Sequence, residues 1–506
     1  MDLPLRLGEP GEFARARALF ARASFSEERI CSALGIQNMS QLPSVPPEAA
    51  GLTEALGSGA LSALVRVFVF AQAVPQAEVE GALEPEDLAA LCALDLLRPG
   101  EQGRYYSPVW VYPLVGFVIA SDRHYSPDGS DIVLASDVVF PALDAGTLRF
   151  LELIPQSATG DALDLCAGTG IGALVLRRCA RRVVAADITP RAAHFARFNA
   201  LLNDRRDIEI ALGDLYEPVA GQAFDRIVAH PPYVPALEQG RVFRDAGTSG
   251  ESILRRIIGD LPRYLRPGGT LYCLAAAWDA AEGPLESRIR TWLGAPQREF
   301  DVIFAEQAGL APDRLARWLA EKAGEPGLWR RWEEEFRTAG LERNVYGAIV
   351  VHRAEAREPR AARHPVAERP RLSPATDGSC FEWSLSWYRW RAEQEAAGEL
   401  SRALLGSRLR LGPRLRARVT YVPSQGELSA SEIVLQADRP FRAATGIEPW
   451  MLKLLAGFGQ DRTGAEVYEA ARAGGQVPEG FEANDFATLV AMMVERGYLA
   501  IEGRAI

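Results

Sequence analysis

The segment from Asp161 to Pro235 constrains this chain more than any other. It reads DALDLCAGTGIGALVLRRCARRVVAADITPRAAHFARFNALLNDRRDIEIALGDLYEPVAGQAFDRIVAHPPYVP. An apolar strand pattern over 162–165 runs into a turn that holds Gly168, Gly170 and Gly172. Glycines at these positions let the backbone turn tightly and let a ligand approach where side chains would block it. A helix pattern over 173–179 follows, then a second strand over 182–186 that ends in Asp187. A third strand over 208–212 ends in Gly213-Asp214-Leu215. A fourth over 224–229 ends in His230-Pro231-Pro232-Tyr233. Each polar group falls at the carboxyl end of a strand, where open parallel sheets bind ligands. A lone glycine turn is weak evidence; the ordered set is much stronger.

The set also selects among ligands. Asp187 follows Gly168 by 19 residues, near the spacing at which an acidic residue reaches ribose hydroxyls. Asp164, just before the glycines, would repel a pyrophosphate, so NAD and NADP are not expected to bind. A carboxylate there suits a ligand with an ammonium group. Asp214 is placed to accept a hydrogen bond from an adenine amino group.

These residues resemble the successive motifs of the class I S-adenosylmethionine-dependent methyltransferases, through Asp164–Gly172, Asp187, Asp214 and His230–Tyr233. The resemblance is to the branch with an Asn-Pro-Pro-Tyr motif. That branch includes the release-factor glutamine methyltransferases and the methyltransferase small domain enzymes of ribosomal RNA. Leu265-Arg266-Pro267-Gly268-Gly269 continues it, and it spans about residues 109–353. It implies a Rossmann-like, seven-stranded, mostly parallel sheet with S-adenosyl-L-methionine as cofactor. The implied cofactor residues are Asp164, Cys166, Ala167, Gly168, Thr169, Gly170, Gly172, Asp187, Ile188, Asp214, Leu215 and His230. The implied catalytic residues are His230, Pro231, Pro232 and Tyr233. Substrate contacts are expected from Tyr125, Tyr233, Arg244 and Asp245, with no metal. The chain departs from the motif at its first position, with His230 where the family has Asn. A neutral histidine supplies one acceptor and one donor, so it either aligns the target nitrogen or takes its proton. Its expected pKa is the ordinary ~6.5.

The rest of the 506 residues is less distinctive. At roughly 100–200 residues per domain, three or four domains are expected. Hydrophobic residues at 48% and charged residues at 24% are globular values, which excludes disorder over the whole chain. Six cysteines without a CxxC pair give neither a disulfide framework nor a zinc ribbon, and read as isolated thiols of a reducing compartment. The longest nearly uncharged apolar run, 109–120, is too short to cross a membrane as a helix. A cytoplasmic protein is therefore expected. Residues 1–108 read as a helical region whose end has winged-helix order, and 109–353 as the methyltransferase region with a helical insertion at about 307–344. That insertion holds Trp318, Trp329 and Trp332; it either caps the substrate pocket or docks against a terminal domain. Residues 354–376 read as a Pro- and Arg-rich linker, and 377–506 as an α+β region ending in a second winged-helix-like module. In that region FEWSLSWYRW fits a strand or a helix equally, and Arg408 to Arg418 alternate like an exposed strand. A net charge of −10 disfavours stable DNA binding. The expected activity is methyl transfer to a nitrogen of a macromolecule, either ribosomal RNA or a protein or peptide side chain. The alternatives are a small-molecule or natural-product methyltransferase and a non-catalytic cofactor-binding scaffold.

Overall fold

The computed structural model describes residues 3–44, 56–57, 59–123, 135–237, 240–355, 365–424, 427–459 and 462–503. The chain forms two bodies. The first holds Met1–Ile154, Ala158–Ala277 and Asp313–Leu341; the second holds Pro155–Ser157, Trp278–Pro312 and Glu342–Ile506.

The first body contains a hairpin, β1 (Trp110–Leu114) with β2 (Phe117–Ser121), and five strands of a large sheet. These are β3 (Thr159–Leu165), β4 (Ala180–Asp187), β5 (Ile208–Leu212), β6 (Phe224–Ala229) and β7 (Leu265–Ala280). They run parallel in the order β7-β6-β3-β4-β5. Leu163, Leu165, Val183, Val184, Ile227 and Val228 are fully buried. Continuous apolar runs are what a strand covered on both faces requires. The register decides the site: Leu165 lies opposite both Ala186 and Ala229, and Asp187 opposite Leu212. The residues that follow these strands therefore emerge at one edge.

Helices α1 (Ala145–Glu152), α2 (Ile171–Leu176), α3 (Pro190–Leu202) and α4 (Ser252–Tyr264) complete this part of the body. The long apolar run of the sequence is the β1–β2 hairpin, and two asparagines hold it, Asn199 of α3 and Asn203 at its C-cap. Asn199, fully buried, accepts from Ala120 N–H at 2.8 Å and donates to the carbonyls of Ala120 and Thr169, both at 2.9 Å. Asn203 makes the same pair of bonds with Val118, at 2.9 and 2.7 Å. Each side-chain amide thus stands in for a strand neighbour, and Asn199 also fixes the glycine turn through Thr169. Replacing Asn199 by alanine leaves three buried partners unpaired, and is expected to destabilise the first body by about 2–4 kcal/mol. Hydrogen exchange at the Ala120 amide should accelerate strongly; unchanged protection there would contradict this role.

Before the sheet, the buried Asp122 accepts two bonds from Arg191, at 2.6 and 2.5 Å, and one from Val139 N–H at 2.8 Å. This clamp, with the bond from Ala142 N–H to Tyr112 Oη, anchors residues 138–142 against the sheet. The amino-terminal helices pack on α3 through Phe13 against Phe198, and His194 bonds Leu5 O, which is a structural use of that histidine.

The second body contributes β8 (Phe300–Leu310), β9 (Leu341–Arg353) and β10 (Ala367–Glu368). β9 is antiparallel and β10 parallel to β8. Five parallel strands in the first body and three strands in the second thus stand where the sequence suggests seven. The additional strand comes from the Pro- and Arg-rich stretch, where two strand residues leave no periodic signature. Its neighbours anchor it: Arg369 bonds Asp279 at 2.8 Å and Glu286 at 2.9 Å, and Arg371 bonds the buried Glu306 at 2.5 Å. The tryptophan-rich segment is a helix, Gly378–Ala396, capped by Asp377, with Trp383 and Trp387 stacked four residues apart. No helix among the described residues is long and apolar enough to cross a membrane.

Candidate active site

A cavity of about 1240 Å³ in the first body is lined by the carboxyl ends of β3 to β6. Its floor is the glycine turn. Cys166, Gly168 and Gly170 all have left-handed φ, at 57°, 53° and 77°. A Cβ on Gly170 would stand 3.0 Å from Ala196 Cα, and one on Gly172 would stand 2.7 Å from Asp164 Oδ2. A Cβ on Gly168 would meet nothing within 4 Å, so a side chain there would enter the open space that this residue lines. The three glycines therefore serve two needs, close packing at 170 and 172 and an open floor at 168.

Three carboxylates approach that floor. Asp164 is buried, and its Oδ2 accepts from Ala173 N–H at 2.8 Å in the first turn of α2. Burial pushes its carboxyl up to about 7; the Ala173 N–H opposes this and the neighbouring Asp187 adds to it. Asp187 accepts from Gly168 N–H at 2.9 Å and from Thr189 N–H at 3.0 Å. Its carboxyl is also raised by burial, against the pull of those donors. Asp214 is paired with Arg256 of α4 at 2.7 Å. Ile188, half exposed, and Leu215, with φ 49°, add apolar surface beside them.

At the end of β6, His230 lies between two aromatic rings. Phe150 of α1 stacks on it at 5.3 Å and 25°, and Tyr233 at 5.9 Å and 29°. Among the described residues no hydrogen bond reaches its ring nitrogens. Burial therefore lowers its pKa to about 4, with Asp144 opposing weakly. This corrects the expectation of an ordinary histidine, because the stacked rings strip water from the imidazolium and nothing nearby replaces it.

After Tyr233 the chain folds back on itself. Val234 N–H donates to Arg244 O at 3.0 Å, and Ala246 N–H to Val234 O at 3.1 Å. Gly250, at φ 77°, passes so close that a Cβ would stand 2.5 Å from Tyr233 O. Asp245 is buried; it accepts from Gly240 and Arg241 N–H at 2.9 and 2.8 Å and from Arg244 Nε at 2.7 Å. Both its oxygens thus help hold the loop, and Oδ1, with one bond, keeps a lone pair on the cavity that Asp245 lines. Arg244 lines the cavity while paired to it. Tyr125 lies outside the described residues.

The remaining expected residues, Cys166, Ala167, Gly168, Thr169, Gly172, Pro231, Pro232 and Tyr233, line the same cavity; Gly170 packs just behind it. Sequence reasoning missed Phe150 and Arg256, which look like an ordinary core residue and an ordinary helix surface. The helical insertion also supplies a wall. Helices α5 (Pro312–Lys322) and α6 (Trp329–Thr338) bring Trp318, Leu319, Lys322, Arg331 and Trp332 to the cavity, with Leu328 just before α6. The insertion lines the cavity and does not fill it. Among the described residues no cluster of histidine, cysteine or carboxylate groups is placed to hold a metal.

The chain matches the methyltransferase small domain family over residues 133–298, and a domain of unknown function, DUF7059, over residues 22–106. A putative protein N5-glutamine methyltransferase of Methanocaldococcus jannaschii is 32% identical over 30% of this chain and 78% of its own length. A release factor glutamine methyltransferase of Xylella fastidiosa is 32% identical over 29% of this chain and 59% of its own length. A ribosomal protein uL3 glutamine methyltransferase of Bradyrhizobium diazoefficiens is 28% identical over 37% and 58%. The chain thus spans more than two thirds of the first relative and less than two thirds of the other two. Among solved structures, a ribosomal protein L11 methylase of Lactobacillus delbrueckii overlaps 41% of this chain and 76% of its own, at 18% identity and a TM-score of 0.24. With the parallel sheet, its glycine turn and the motif at the end of β6 in place, the chain belongs to the class I S-adenosylmethionine-dependent methyltransferases that carry the methyltransferase small domain.

Proposed function

We propose that this chain transfers the methyl group of S-adenosylmethionine to the side-chain amide nitrogen of a glutamine in a protein. One observation supports this above the rest: the His-Pro-Pro-Tyr end of β6 opens on the same cavity as the glycine turn. The relatives named for glutamine methylation support the choice of substrate.

The cavity residues suit the cofactor. The open floor at Gly168 admits it, and the buried carboxyl of Asp164 offers a partner to its ammonium group. Asp187 keeps lone pairs for ribose hydroxyls, and Ile188 and Leu215 give an apolar surface for the adenine ring. Asp214, already paired with Arg256, has its other oxygen left for the adenine amino group. When bound, S-adenosylmethionine supplies a methyl group on a positive sulfur. The remaining task is to aim a weakly nucleophilic amide nitrogen at that methyl. In this reading a neutral imidazole at position 230 accepts one amide N–H, the Pro231 carbonyl accepts the other, and Tyr233 walls the slot. An imidazole whose conjugate acid has a pKa of about 4 is a weak base, which favours alignment over proton removal.

Asp164 makes the proposal testable through pH. Its carboxylate form is the one that pairs with an ammonium, and its carboxyl titrates at about 7. Affinity for S-adenosylhomocysteine should therefore be full above pH 8. Below pH 7 it should weaken, approaching about tenfold per unit. Calorimetry in buffers of different ionisation enthalpy should show proton release on binding near neutral pH. Absence of any binding to folded protein would end the assignment, as would a clear thermal shift with NAD alone. The transfer itself is tested by mass spectrometry of a protein extract incubated with the chain and labelled cofactor. The label is expected on glutamine; label confined to RNA or to small molecules would contradict it.

A further inference from the structure

The cavity wall built by the insertion has a charge pattern that cofactor binding does not use. Of the acids lining the cavity, Asp164, Asp187, Asp214 and Asp245 are engaged by backbone N–H groups or arginines, and Asp144 caps α1. Asp137 and Glu325 remain. Of the cations, Arg256 and Arg244 are paired with Asp214 and Asp245. Among the described residues Arg241, Lys322 and Arg331 line the cavity without an ion pair. Lys322 sits four residues after Trp318, on the same face of α5, and Trp318 is 44% exposed. Among the described residues, Arg241, Lys322 and Arg331 thus stand with the exposed Trp318 on one cavity, with Asp137 and Glu325 as the lining acids that have no ion pair.

Resting on the glutamine reading, we infer that the insertion is a recognition wall for a substrate segment bearing acidic residues beside its target glutamine. Lys322, Arg331 and Arg241 meet the carboxylates, and Trp318 covers the peptide chain between them. Unpaired charges at a rim act on encounter and on specificity more than on the chemical step. The wall should therefore set KM and leave kcat alone.

The test uses the full chain with S-adenosylmethionine and three hexapeptides centred on glutamine, flanked by Asp/Glu, by Ala or by Lys. The acidic peptide is expected to show kcat/KM about tenfold above the alanine peptide, with the lysine peptide lowest. In the double variant Lys322→Glu/Arg331→Glu the order should invert, with kcat and cofactor affinity unchanged. Equal turnover of all three peptides by both proteins would overturn the inference and leave the glutamine reading intact. A second readout separates the two ideas: fluorescence titration with the same peptides carrying alanine in place of glutamine. Charge-ranked binding there, with no methylation of any glutamine peptide, would remove the glutamine reading while keeping the acidic wall. No charge ranking in either readout, or stronger competition by a single-stranded RNA oligonucleotide than by the acidic peptide, would overturn the wall.

Discussion

Replacing His230 by alanine is expected to slow methyl transfer by about 10²–10⁴-fold while cofactor affinity stays nearly unchanged. The asymmetry follows from position. The cofactor's proposed partners, Asp164, Asp187 and the glycine turn, lie at the ends of β3 and β4, whereas His230 follows β6 and stacks with Phe150 and Tyr233. With its pKa lowered to about 4, His230 is neutral throughout the physiological range. Activity should not titrate with this residue between pH 5.5 and 8. It should fall as the pH drops through about 4, because the imidazolium can only donate. His230→Asn restores the acceptor of the related motif and should retain most of the rate with no histidine titration. An alanine variant with the wild-type rate on its true substrate would end the idea. A rate that rises through pH 6.5 in the wild type, and is lost in the asparagine variant, would assign proton removal to His230.

The second large effect is expected at Asp187. Alanine there should weaken S-adenosylhomocysteine binding by about 1.5–3 kcal/mol, through loss of charge-assisted bonds to the ribose. The carboxylate also holds Gly168 and Thr189 N–H, so its removal loosens the turn that forms the cavity floor. Asp187→Asn separates the two contributions. The amide oxygen still accepts from one backbone donor but brings no charge, so an intermediate loss is expected. Calorimetry with folded protein at pH 8, where Asp164 is ionised, reads the effect without interference from that group. Unchanged affinity in both variants would place the ribose elsewhere.

The central sheet was legible because its information is local and ordered. Apolar runs end in Asp164, Asp187, Asp214 and His230, and the parallel register brings those ends to one edge. The glycine turn could be read for the same reason: left-handed φ at 168 and 170 and a 2.7 Å approach at 172 leave few residue types to choose from. What escaped the sequence is whatever depends on contacts between distant segments. Phe150 reaches His230 across 80 residues and sets its pKa, so a histidine assigned its ordinary value was wrong in the direction that burial dictates. Asp245 is a substrate contact that the resemblance implies, and its further role in holding the loop through Gly240, Arg241 and Arg244 depends on a backbone course the local sequence does not show. The bonds of Asn199 to Ala120 and Thr169 join a hairpin 79 residues away to the glycine turn 30 residues away, and neither is local to its helix. The insertion offers two fates from its tryptophans alone, and Trp318 and Trp332 of it line the cavity.

Mass spectrometry of proteins from cells with and without this chain tests the central claim most directly. The expected result is one or a few glutamines that carry an added methyl only when the chain is present. Re-expression of the wild type should restore that methyl, and the His230→Ala variant should not. An unchanged set of methylated glutamines, with a methyl lost instead from an RNA base or a small metabolite, would contradict the account.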